Sequence, residues 1–139
     1  MLIKAKVGGA TIEANSVLSP MDLNNTSLEW YINETCLTDI PKVTALGKKA
    51  IMEVTCNSES EQTRLYALCG FLLVQTDDTF FYYTKTTDAG SFVWRPEWSL
   101  AIGKPSRPYR SWENGVLLRE FPNAIVLVNP TNQTLTGQE

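Results

Sequence analysis

The chain contains no histidine, and its three cysteines, Cys36, Cys56 and Cys69, fall in no C-x-x-C pair. A Cys/His zinc site and a Ser-His-Asp or Cys-His nucleophile are therefore excluded within these 139 residues. An odd cysteine count, spread over expected helix and strand positions, predicts buried free thiols rather than a disulfide framework. No apolar run approaches the ~18 residues of a membrane span. The opening Met1–Gly9 is apolar only briefly and is broken by Lys4 and Lys6, so it does not read as a signal peptide. Basic residues are not in excess: 12 Lys and Arg stand against 15 Asp and Glu, scattered along the chain. The lack of a basic stripe argues against nucleic acid as the main partner. There is no phosphate loop, no dinucleotide fingerprint and no metal-ligand spacing, and Gly8-Gly9 alone supplies none of these. No cofactor is expected. No internal repeat or low-complexity segment is present.

What is there reads as one globular domain. Hydrophobic residues make up 43% and charged residues 19%, which argues against disorder and allows a real core at this length. Four N-x-[ST] sequons occur, at Asn24, Asn25, Asn33 and Asn132. In so Asn- and Thr-rich a chain they read as chance matches.

Residues Gly9 to Glu13 read as a short strand ending in a carboxylate. Leu28, Tyr31, Ile32 and Cys36 fall at helical spacing between Ser27 and Leu37. Pro41 disfavours one continuous helix there, so a second short stretch is expected from Ile40 to Leu46, with Gly47 as its stop. Ala50–Cys56 reads as a second strand. Ser58 and Glu61 form a capping box for the clearest helix, whose apolar stripe is Leu65, Leu68, Cys69, Leu72 and Leu73, widened by Phe71. That helix ends near Gln75-Thr76, and Asp77-Asp78 make the turn into Thr79–Thr84, an aromatic third strand. Helical crossovers of this length join parallel strands, right-handedly. A loop-rich stretch, Thr86 to Ser111, carries Trp94, Trp98 and Tyr109. Gly115–Phe121 and Ala124–Asn129 then form an antiparallel hairpin turning at Pro122-Asn123, entered through Glu113-Asn114-Gly115. The polar tail from Thr131 to Glu139 is expected to fray.

In that order these parts resemble the C-terminal portion of a hypothetical glycosyl hydrolase-like (β/α)8-barrel family. The matching features are Gly9 to Glu13, the leucine-rich Arg64 to Leu73, the aromatic Phe80 to Tyr83 and Trp94-Arg95-Pro96-Glu97-Trp98. Leu100 to Pro105, Arg119 with Phe121, and Val126 to Pro130 complete the series. The likeness covers nearly all of the chain. It departs in Ala124, where a glycine is expected in the hairpin turn, in the linker Arg107–Trp112, and in the absence of strands one to five. A whole barrel needs roughly 200 residues or more.

The resemblance implies an α/β fold: a partial (β/α)8 barrel holding about strands six to eight with their helices, parallel, followed by a C-terminal antiparallel β-hairpin. Residues 1–111 would form the partial barrel with an aromatic loop after its last strand, 112–130 the hairpin closing the same domain, and 131–139 the tail. The missing strands would be lost by truncation, or the chain would be a minimal domain that pairs with another copy or subunit.

Glycoside hydrolysis uses two carboxylates, one to protonate the leaving oxygen and one to attack or activate water. Glu13 is the catalytic candidate, because barrel active sites lie at the C-terminal ends of strands; the alternative is a surface or loop-anchoring glutamate. Glu97, between Trp94 and Trp98, either fixes its loop by accepting backbone N–H bonds or rims a sugar platform made by the two tryptophans. Glu53 reads first as a charge-paired structural residue and second as substrate-facing. Strand alternation sends one of Tyr82 and Tyr83 inward and one outward, and Tyr82 is the substrate-binding candidate. Arg119 is expected to pair with Glu120 or a barrel carboxylate. The first functional reading is a fragment of a glycoside hydrolase acting on carbohydrate and inactive alone. The second is a non-catalytic carbohydrate-binding or scaffold domain using Trp94, Trp98 and Tyr109. The third is a structural fragment that associates through open sheet edges. Carbohydrate is the expected ligand, the missing barrel half or a second copy the expected protein partner, and neither nucleic acid nor membrane is expected.

Overall fold

A computed structural model describes residues 2–4, 13–14, 21–22, 31–56, 61–85 and 93–130. They form a mixed α/β structure with two sheets. Strands β1 (Leu2–Lys4), β2 (Glu13–Ala14), β3 (Met21–Asp22), β4 (Lys49–Cys56) and β5 (Thr79–Lys85) make the first. Strands β6 (Arg110–Ser111), β7 (Leu117–Phe121) and β8 (Ala124–Val128) make the second. Neither sheet closes into a barrel among the described residues.

The first sheet is built around β4. β5 pairs with it in parallel over its full length, from Ala50↔Thr79 to Cys56↔Lys85. β1 and β3 are also parallel to β4, at Leu2↔Lys49 and Met21↔Val54 respectively. The start of the chain departs from expectation. The parallel partner near the beginning of β4 is Leu2–Lys4, and Glu13 opens a strand antiparallel to it, in register with Lys4. The eight intervening residues are too few for the dozen or more that a parallel crossover requires, so the chain returns antiparallel. Residues 9–12 of the expected first strand lie outside the described residues.

Between β3 and β4 the chain coils as a π-helical segment, Tyr31–Asp39, that runs directly into α1 (Ile40–Ala45). The Thr38 hydroxyl donates to the Asn33 carbonyl five residues back, at 2.6 Å. Pro41 stands in the first turn of α1, where the π-helical segment gives way to α-helix. Gly47 ends the helix at φ +69, as a left-handed stop requires. Helix α2 (Glu61–Val74) follows, while its expected cap at Ser58 lies outside the described residues.

The core explains why the stripe of α2 shifts. Its buried residues are Ala67, Gly70, Phe71 and Leu73, whereas Leu65, Leu68, Cys69 and Leu72 are half-buried. The helix is clasped from two sides, by the parallel sheet and by the hairpin. Met52, Val54 and Tyr83 from the sheet, Cys36, Ile40 and Val43 from the preceding helical turns, and Leu117, Phe121, Val126 and Val128 from the hairpin join one cluster. Cys36, buried, and Cys69, half-buried, are not in disulfides. Register partners in a parallel sheet share a face. Ala50, Met52, Val54, Thr79 and Tyr83 are buried on the face that meets the described helices. On the opposite face Ile51, Glu53 and Tyr82 are half-buried and Phe80 is 46% exposed. Alternation thus turns Tyr83 inward and Tyr82 outward.

The hairpin forms where expected, with Phe121↔Ala124 closing a two-residue turn. Neither Pro122 nor Asn123 has a positive φ, so this is not the primed turn that such short hairpins favour. It is held instead by the preceding loop: Asn123 donates from its backbone N–H to the Ile102 carbonyl at 3.1 Å and from its side-chain amide to the Ala101 carbonyl at 3.0 Å. β6 adds an unforeseen third strand through the turn at Asn114 (φ 55) and Gly115 (φ 78).

Candidate functional site

Four residues singled out in the sequence come together. Trp98 lies on a single 3-10 turn, Pro96–Ser99. Its ring stands 6.4 Å from that of Tyr82 and 5.8 Å from that of Trp94, the latter nearly perpendicular at 83°. Such edge-to-face and tilted pairs are the favoured aromatic geometries. Trp94 is 60% exposed and Trp98 is half-buried, so the group has a wet side and a packed side. It forms an aromatic ledge at β5: Tyr82 lies on the sheet face that the described helices leave uncovered, and Trp98 reaches the side facing α2.

Glu97 is held within this ledge. Its side chain is only 8% exposed and accepts from Nε of Arg64, on α2, whose side chain is 14% exposed. Burial works to raise the Glu97 carboxyl, but the Arg64 hydrogen bond, a backbone N–H, and the charges of Arg64 and Arg95 outweigh it and hold the group below its ordinary range. The same bond raises Arg64, against the opposing effect of burial. Glu97 is thus a tied anion rather than an available acid or base. Beneath the turn, a cleft of about 270 Å³ separates it from α2 and the start of β5, lined by Leu68, Phe71, Phe81, Trp98 and Ile102. Gln75 Oε1 is buried in its wall with no hydrogen-bond partner among the described residues.

The model of hypothetical glycosyl hydrolase family 15 matches residues 13–125, which takes in β2 to β5, the aromatic ledge and most of the hairpin. The chain belongs to that family. No curated protein and no solved structure matches it.

In this family-15 chain Glu13 stands apart from the ledge. The strand order β2-β1-β4, with β5 beyond β4, puts three inter-strand spacings between Glu13 and Tyr82. At about 4.8 Å each that is about 14 Å. Glu53 is nearer: it is in register with Tyr82 on the face that the described helices leave uncovered, and no cation among the described residues pairs with it. Tyr109 packs against the core cluster.

Arg119 also differs from expectation. It is 8% exposed and donates to three carbonyls: from Nη1 to Leu72 and Gln75, both at 2.9 Å, and from Nε to Arg107 at 3.1 Å. Glu120 pairs instead with Arg110, at 4.0 Å and in solvent. Sequence reasoning singled out Arg119 but expected a carboxylate partner, and it gave Arg64 no role. For Arg119 a signal existed, since Leu117, Arg119 and Phe121 share one face of an alternating strand. For Arg64 there was none, because its partner lies 33 residues away.

Among the described residues no group of three or more Cys, Asp or Glu is placed to hold a metal ion, and no helix is long and apolar enough to cross a membrane.

Proposed function

We propose that this chain is a carbohydrate-contacting section of a glycoside hydrolase-like (β/α)8 barrel, which binds saccharide through Tyr82, Trp94 and Trp98 and does not hydrolyse it alone. The observation that carries the reading is the ledge itself: three rings in contact, one of them 60% exposed, beside a sheet face that the described helices leave uncovered. Flat apolar sugar faces stack on such rings. Barrels place helices on the outer face of the sheet and fill the inner face with side chains from all strands. Ile51, Glu53, Phe80 and Tyr82 would be that inner face, to be covered by further β/α units or by a second copy. Catalysis would need a carboxylate pair. Glu13 is the proposed acid/base or nucleophile of the assembled fold, Glu97 belongs to the binding rim, and the ledge contributes position rather than proton transfer.

The test is a paired assay on the purified chain. Titration with soluble β-1,4-linked hexasaccharides of glucose, xylose and mannose, followed by tryptophan fluorescence, is expected to saturate, and Trp98→Ala to abolish the response. Aryl-glycosides and the same oligosaccharides are expected to remain uncleaved. Turnover lost in Glu13→Gln would overturn the second half of the reading, and absence of any saccharide response would overturn the first.

A further inference from the structure

Trp98 packs against the core cluster, but the segment that carries it is short and mostly exposed. The segment from Trp94 to Ile102 makes one short 3-10 turn, with Trp98 N–H donating to Arg95 at 3.1 Å and Leu100 N–H to Glu97 at 3.4 Å. Its far end is tied to the hairpin turn by the two bonds from Asn123. Between these points it spans the cleft of about 270 Å³, and Leu100 is 62% exposed above it. The strong tie in the middle is the bond from Arg64, which reaches across from α2 to the residue next to Trp98. Helix α2 is itself clasped between sheet and hairpin, so it is a rigid post.

We infer that Arg64 is the positioning residue of the saccharide ledge: by gripping Glu97 from α2 it sets the angle of Trp98 against Trp94 and Tyr82. This deepens the carbohydrate-binding reading and rests on it for its functional meaning. The charge-assisted bond is directional, and guanidinium geometry fixes the carboxylate more tightly than an ammonium would. Deleting the arginine leaves the Glu97 carboxylate mostly buried without its partner, so the turn must open to hydrate it.

The experiment reads ledge geometry and ligand binding separately. The Trp94–Trp98 pair, 5.8 Å apart, is expected to give a far-UV exciton couplet in circular dichroism, which Trp94→Phe would identify by removing it. Arg64→Met is expected to lose the couplet while keeping the helical signal, and to weaken hexasaccharide binding roughly tenfold, or ~1.4 kcal/mol. Arg64→Lys is expected to restore part of each. A couplet retained in folded Arg64→Met overturns the inference. If Arg64→Met fails to fold, the charge-exchanged pair Arg64→Glu with Glu97→Arg decides: a recovered couplet supports the grip, and a folded protein without one overturns it. A wild-type chain that shows the couplet but binds none of the three hexasaccharides refutes the carbohydrate reading and leaves the grip standing.

Discussion

Arg119 of the hairpin donates from Nη1 to the Gln75 carbonyl at 2.9 Å, closing the end of α2 from another part of the chain. The last carbonyls of a helix lack intrahelical donors and carry the negative end of its dipole. The last turn of α2 has no basic residue of its own, so the hairpin supplies the cation. Because the guanidinium is almost wholly buried, its pKa is pushed down, and what holds it is the three-carbonyl cradle. Arg119→Met is expected to destabilise the fold by about 2–4 kcal/mol, through two or three orphaned carbonyls and lost charged hydrogen bonds. Urea unfolding checks this; a loss under about 1 kcal/mol would show that the cap is dispensable.

The hairpin turn depends on a second contact. Gly103 has φ +80, and a Cβ there would come within 2.8 Å of Pro122 Cγ. Gly103→Ala therefore combines left-handed strain with a clash and is expected to cost about 1–3 kcal/mol. Gly47, also left-handed but with open space around it, is the comparison, and Gly47→Ala is expected to cost less.

The Arg64–Glu97 pair gives stability a definite pH dependence. The folded Glu97 carboxyl lies below its unfolded value of about 4.3, so the contribution is fully present above that pH. It is lost as pH falls through the lower folded value. The difference in unfolding free energy between wild type and Glu97→Gln, measured from pH 7 downward, is expected to stay constant to about pH 5 and then shrink. A difference that grows on acidification would have the wrong sign for a tied anion.

Glu53, in register with Tyr82, is the carboxylate that lies closest to the ledge along the sheet. Glu53→Gln is expected to leave stability within about 1 kcal/mol, since no cation among the described residues depends on it. Thermal unfolding tests this, and a loss of several kcal/mol would reveal a structural partner.

Much of this was legible because the strong signals are local. The 3.6-residue pattern gave α2, the aromatic run Thr79–Thr84 gave β5, and two β runs separated by Pro122-Asn123 gave the hairpin. The four ledge residues were legible as a set because Trp94, Glu97 and Trp98 are close in sequence and alternation points Tyr82 outward. The start of the chain was misread because Leu2-Ile3 is too short a run to announce a strand, and strand direction depends on connection length more than on the residues within it. The roles of Arg64 and Arg119 depend on contacts 33 and 44 to 47 residues distant, which no local pattern encodes.

The most direct test of the carbohydrate ledge uses the indole N–H resonances of the tryptophans, assigned by substitution, during titration with the three hexasaccharides. Trp112 is 48% exposed on the second sheet, outside the ledge, and serves as an internal control. The account predicts saturable shifts at Trp94 and Trp98 with Trp112 unmoved. Resonances of Trp94 and Trp98 that stay still, or a response confined to Trp112, would contradict it.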